Sequence, residues 1–181
     1  MSKLQTPQVK AVFDKFNKNI IKAARSTLSK EGRNVTKEMY NSLGVNYKAF
    51  PNSIQNDFVG NFYADFQDKG VKGNQSSERA PDSPYQFKPS TSMVPMSAIL
   101  EWVIARRFQF RDRTTGRFMS FQSTAFLIAR SIPRQGLKAT AFLSRHVLRN
   151  APKLAEQLQE AFAIDFGNAL LDDKISVDDM P

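Results

Sequence analysis

The chain has 181 residues, no cysteine and one histidine, His146, which excludes disulfides, thiolate chemistry, a cysteine-ligated metal and a zinc site built on several histidines. Lys+Arg 26 against Asp+Glu 17 leaves a formal charge of +9. No run of ~18 apolar residues is present, so no membrane-spanning helix is expected.

The charge is unevenly spread. Residues 1–50 hold ten Lys/Arg and three Asp/Glu, and residues 101–150 hold ten and two. Residues 151–181 reverse the balance, with two Lys and seven Asp/Glu. Such blocks are solvated faces, contacts to nucleic acid, or docking surfaces for oppositely charged protein. The opening MSKLQTPQVK is charged with no apolar run behind it. It does not read as a secretory signal, and the protein is expected in a cytoplasm or in something assembled there.

Val9, Val12, Phe13, Phe16, Ile20, Ala23, Ala24 and Thr27 recur at steps of three and four. This predicts an amphipathic helix from Pro7 to Ser29, with Gly32 and Asn34 as its stop. Thr36 is placed to cap a short turn carrying Met39, Tyr40 and Leu43. From Leu43 to Phe50 the pattern is extended, and the aromatics Phe58, Phe62, Tyr63 and Phe66 suit a second strand. Gly60 is its bulge or close-approach point, and Pro51-Asn52-Ser53 make the turn. The two segments are read as an antiparallel β-ribbon.

Residues 69–95 are rich in Gly, Ser, Pro and charge, and far longer than an ordinary connection. Two explanations compete: a floppy loop, or an extended arm that orders only against a neighbouring subunit. Tyr85 and Phe87, set among prolines, favour the arm and would be its anchors. A helix follows from Pro95 and Ser97 through Trp102, apolar nearly all round, ending in Arg106-Arg107. RDRTTGRFMS is a basic turn around Gly116. The helix Phe121–Ile132 is stopped by Pro133 and Gly136. A last helix runs from Pro152 to Leu170 with Leu154, Leu158, Ala161, Phe162 and Ala169 inward. The whole reads as one α+β domain over 1–171, a ribbon or small sheet packed with a long N-terminal helix and several C-terminal helices. Residues 172–181 are an acidic, flexible tail.

Enzyme readings find no foothold. His146 has no carboxylate near it in sequence and reads as structural. GxGxxG, GxxxxGK[ST] and GxSxG are absent. Asp172, Asp173, Asp178 and Asp179 would chelate a cation weakly, and more often such a run is a solvated end. Asp65 and Asp68 have no marked partner. No catalytic, cofactor or metal residue is therefore assigned.

The basic cluster Arg106, Arg107, Arg111, Arg113 and Arg117 is more informative. Five arginines in twelve residues, with Asp112 alone among them, require counter-charges. Arginine suits bidentate partners such as carboxylates or phosphates. Phe108, Phe110 and Phe118 interleave, which suits stacking on single-stranded nucleic acid and suits a protein interface equally. A solvated loop pinned by its aromatics is the plainer alternative. No nucleic-acid-binding motif is present, so protein assembly is weighted above sequence-specific binding, with non-specific DNA contact as the alternative.

The order of segments resembles the tail-completion and head–tail connector proteins of tailed bacteriophages. Tyr63, Ala64, Phe66 and Gly70 match that family's strand-before-loop pattern. Ile99, Trp102 and Val103 match its Trp helix. Ala125, Ile128, Ala129, Ile132, Gly136, Thr140 and Phe142 match its next helix and restart. The resemblance covers roughly residues 36–165, and the order of all three pieces carries it. Two departures stand out: relatives often have proline where this chain has Ala141, and Arg106–Met119 has no clear counterpart. The resemblance implies a virion structural subunit at the neck or tail top, a terminator, connector or completion protein, assembled in the host bacterial cytoplasm. It implies a homo-oligomeric ring, often a hexamer, touching neighbouring neck and tail proteins, with no enzyme activity, cofactor or membrane contact. Genomic DNA would pass through its channel. Arg106, Arg107, Arg111, Arg113, Arg117, Arg130 and Arg134 are the expected subunit-interface or channel residues.

Overall fold

The computed structural model describes residues 6–32, 37–50 and 53–178, the last seven by backbone alone. The molecule is α+β: long helices accompany two small antiparallel sheets. The chain groups into two compact units, where the sequence reads as one domain. The first contains Met1–Thr27, Ser42–Gly60 and Phe142–Pro181, and the second Leu28–Asn41 and Asn61–Ala141. Among the described residues, no helix is long and apolar enough to cross a membrane.

The first unit is organised by α1 (Pro7–Lys30). Its period-3.6 apolar stripe buries Val9, Ile20 and Ala24. The ribbon β1 (Gly44–Phe50) and β2 (Ser53–Val59) pairs in register from Gly44↔Val59 to Phe50↔Ser53. Its inner face meets α1 through Phe13–Tyr47 and Phe16–Phe58, with ring centroids 5.6 and 6.3 Å apart. Asn17 and Asn56 exchange two amide hydrogen bonds, at 2.7 and 2.9 Å, which satisfies the buried Asn17. The expected turn at Pro51 and Asn52, and the Thr36 cap, lie outside the described residues.

The last helix, α6 (Ser144–Asp178), begins eight residues before the expected start at Pro152 and carries that proline inside it. Pro152 withholds one N–H from the ladder, but it lies on an exposed stretch where Leu148 also faces solvent. The backbone of the expected flexible tail continues this helix through Asp178. Ala161 is buried as expected, but Phe162 is not. The inward position beside Ala161 belongs to Asp165, whose carboxylate accepts from the Gln8 and Val9 backbone N–H groups.

The second unit begins with the end of α1 and α2 (Glu38–Ser42, of which Glu38–Asn41 belong here). Beyond Gly60 the expected strand is replaced by α3 (Ala64–Lys69). Asn61 opens a turn by accepting from Ala64 N–H, and Asp65–Lys69 form an i,i+4 ion pair at 3.0 Å. That spacing outweighs the strand preference of Phe62, Tyr63 and Phe66.

Residues 69–95 are neither a floppy loop nor a projecting arm. They are laid along their own unit. β3 (Val71–Lys72) pairs antiparallel with β4 (Gly136–Leu137). Lys72 also exchanges backbone bonds with Tyr85 and Phe87, at 2.8 and 3.0 Å. Asn74 and Gln75 donate to the Pro133 and Arg134 carbonyls. Tyr85 packs edge-on against Phe66 with centroids 4.6 Å apart and donates to Asp65. Tyr85 and Phe87 thus anchor the segment to their own chain. A composition poor in apolar residues is ordered here because backbone groups make contacts alongside the few anchoring side chains. Two glycines permit this approach: a Cβ at Gly73 would sit 2.1 Å from Arg134 O, and one at Gly136 2.3 Å from Val71 O.

The two remaining helices are α4 (Met96–Arg106) and α5 (Phe121–Gln135), which pack together. Ser120 caps α5 by accepting from Ser123 N–H at 3.0 Å. The helix does not stop at Pro133 but runs two residues further. Pro133 has no N–H for the Ala129 carbonyl, and Val94 N–H fills that place at 3.2 Å. The stop comes at Gly136, with φ +80. After it, Thr140 and Ala141 donate to the Gln67 and Asp68 carbonyls, and Phe142 is fully buried. Ala141 has φ +48, a conformation closed to proline.

Candidate interaction site

The second unit carries a lobe built by residues 102–119. α4 ends at Arg107, which takes a left-handed conformation (φ 50), and its N–H and that of Phe108 donate to the Ile104 and Val103 carbonyls, both at 3.0 Å. This is the helix ending that glycine ordinarily supplies. An arginine held there at a conformational cost of about 1 kcal/mol points to a use for its side chain.

The chain then doubles back. Met119 N–H donates to Phe110 O, Asp112 N–H donates to Arg117 O, and Arg111 bridges Phe118. The Asp112 carboxylate accepts from Thr114 and Thr115 N–H groups, both at 2.8 Å. These bonds, Thr115 first and then Thr114, hold its carboxyl below the usual carboxylate range. The one acid in the segment is therefore committed to the turn that it builds. Among the described residues, none of the five arginines forms an ion pair.

Apolar rings run along the same lobe. Trp102, Phe108 and Phe110 form a ladder with successive centroids 6.2 and 5.2 Å apart. All three are exposed, Trp102 by 41%, and Phe118 is exposed by 61%. The Arg111 guanidinium lies 4.6 Å from the Phe118 ring centroid. The base is fixed: Thr124, fully buried, accepts from Phe110 N–H, and Gln109 donates to Met119 O at 2.8 Å. A solvent-facing surface of aromatic rings results, beside guanidinium groups that form no ion pair among the described residues.

Trp102 and Arg106 also edge a groove of about 840 Å³ in this unit, walled by Met39, Ile99, Ile128 and Ile132. Gln67 Oε1, buried without a hydrogen-bond partner among the described residues, lies in its lining. A Cβ on Gly32 would stand 2.8 Å from an Arg106 nitrogen, so that glycine leaves room for the guanidinium.

The structure thus gathers Arg106, Arg107, Arg111, Arg113 and Arg117 on one lobe. Arg130 and Arg134 lie on exposed turns of α5, in a shallower depression of about 590 Å³ with Gln75, Ser76 and Ser131. His146 shares a 2.9 Å hydrogen bond with Thr27 Oγ1. Thr27 gives its hydroxyl proton to Ala23 O, so it accepts from Nε2–H, which is a packing role. Among the described residues, no group of three His, Cys, Asp or Glu side chains converges on a possible metal position.

A second exposed apolar surface was not legible as such. Phe162, Phe166 and Leu170 stand four residues apart on α6, and Phe166 is exposed by 58%. Phe162 reads as core only if the helix is phased on Leu158. The signal available in sequence is the same spacing of four, once Asp165 is given the inward position.

No family model, curated protein or solved structure matches the chain.

Proposed function

We propose that this chain is a structural assembly subunit whose 102–119 lobe is a subunit interface, and that it forms a ring at the neck or tail top of a tailed bacteriophage. The observation that carries the assembly reading is the exposed Trp102–Phe108–Phe110 ladder beside guanidinium groups, with the one acid of the 102–119 segment already engaged by its own turn. Aromatic rings and arginine are the anchors that protein interfaces favour, and contiguous exposed apolar patches mark such interfaces. Covering each 100 Å² of that apolar surface contributes roughly 2.5 kcal/mol. The two-stranded ribbon supports the same reading, since among the described residues no third strand pairs with it, and a strand can be added across a subunit boundary.

The virion setting rests on the resemblance in the order of segments. α4 and α5 stand where the second and third pieces call for helices, whereas the first piece, Tyr63–Gly70, expected as a strand, forms the helix α3 and lends the resemblance no support. The 69–95 segment adds nothing to it, because it is bound to its own unit.

A second reading is favoured by Arg111 stacked on Phe118: a platform of rings and cations for single-stranded nucleic acid. Sedimentation velocity and negative-stain micrographs of the purified protein separate the two. Ring-shaped particles with masses that are multiples of 20.5 kDa are expected. A monomer at every concentration, binding single-stranded DNA with a steep salt dependence, would replace assembly with the nucleic-acid reading.

A further inference from the structure

We infer that the exposed row Phe162–Phe166–Leu170 of α6 docks on the Trp102–Phe108–Phe110 ladder of a second copy of this chain, a head-to-tail contact. The inference rests on the assembly reading above and names the partner surface of the same lobe.

Three observations converge on it. Both surfaces are apolar and exposed in the lone chain: Phe162 by 43% and Leu170 by 51%, against the ladder already described. Their spacings agree. Neighbouring rings of the ladder are 6.2 and 5.2 Å apart. Each step of four helical residues along the row advances ~6 Å.

Charge then selects this pairing over a self-pairing of either surface. The lobe carries Arg106, Arg107, Arg111, Arg113 and Arg117 against Asp112, whose carboxylate is held by turn amides. Residues 151–181 carry seven Asp/Glu and two Lys; of these Asp165 is buried on the α1 amides, and Glu156 and Glu160 are exposed on α6. Lobe against lobe would juxtapose ten guanidinium groups, and residues 151–181 against themselves would juxtapose two acidic segments. Like charges brought together disfavour both arrangements, whereas lobe against α6 is complementary. The two surfaces differ, so the contact is heterologous, and repetition of a heterologous contact generates a ring when the rotation closes.

The chain has no cysteine, so Phe166→Cys gives it one thiol, which takes a benzophenone maleimide. This labelled chain is mixed with unlabelled ¹⁵N chain, irradiated and mapped by mass spectrometry, and the mass of the unirradiated mixture is measured in parallel. Adducts to residues 102–119 of the ¹⁵N chain are expected. Adding Arg111→Glu and Arg113→Glu to the ¹⁵N chain should lower their yield by at least about tenfold. Adducts to α6 of the ¹⁵N chain, or none to the lobe in an assembled sample, would overturn this contact and leave assembly standing. A mixture that stays at 20.5 kDa would overturn both.

Discussion

Asp165 closes the first turn of α1 from across the sequence: its carboxylate accepts from Val9 N–H at 3.0 Å, and from Gln8 N–H at 3.1 Å. The first turn of α1 contains no acidic residue of its own. A buried carboxylate from α6 therefore meets the free donors and the positive end of the helix dipole. Replacing it with alanine would leave those donors buried and unpaired. Asp165→Ala is expected to cost about 2 kcal/mol in urea unfolding, and Asp165→Asn, which keeps one acceptor, about half of that.

The left-handed Ala141 makes opposite predictions for two substitutions. Ala141→Gly relieves the unfavourable φ of +48 and should stabilise by up to about 1 kcal/mol. Ala141→Pro cannot reach that φ and removes the donor to Asp68 O, so a loss of at least about 3 kcal/mol is expected. Thermal unfolding of the two variants measures both.

Arg107 separates stability from assembly. Arg107→Gly should stabilise by about 1 kcal/mol, because glycine accepts φ 50 without strain. The same change removes one interface cation and should weaken self-association by about a factor of three. Melting temperature and sedimentation equilibrium are expected to move in opposite directions.

Tyr85 and Asp65 give a pH dependence. Hydrogen bonding from Tyr85, and then from Lys69, lowers the Asp65 pKa, so its contribution is present above the unfolded value near 4 and is lost as pH falls through the lower folded value. The same bond raises the Tyr85 pKa, so the phenol's contribution is present below about pH 10 and is lost as pH rises through the higher folded value. The stability difference between the natural chain and Tyr85→Phe should therefore be level from about pH 5 to pH 9 and shrink on both sides. Urea midpoints measured from below about pH 4 to above about pH 10 check it.

Elements with a strong period were legible in the sequence. α1 has its apolar residues at steps of three and four, and the strand Gly44–Phe50 alternates beside it. What misled were residues whose roles are set by distant backbone. Pro133 reads as a stop, yet the Val94 amide fills its gap. Pro152 reads as a start, yet it sits in the third turn of a helix that has already begun. The 69–95 segment has few apolar side chains, and much of its order comes from main-chain pairing that composition does not encode. The arginines of the lobe were legible as a cluster. That Asp112 faces the turn and leaves them uncompensated needed the geometry.

Trp102 is the single tryptophan of the chain and the first ring of the ladder, so its emission reports directly on whether the lobe is covered by another copy. With rising protein concentration the emission should shift to the blue and acrylamide quenching should fall, in step with a rise in sedimenting mass above 20.5 kDa. An unchanged spectrum and quenching constant across the same range, with the mass fixed at one chain, would contradict the account.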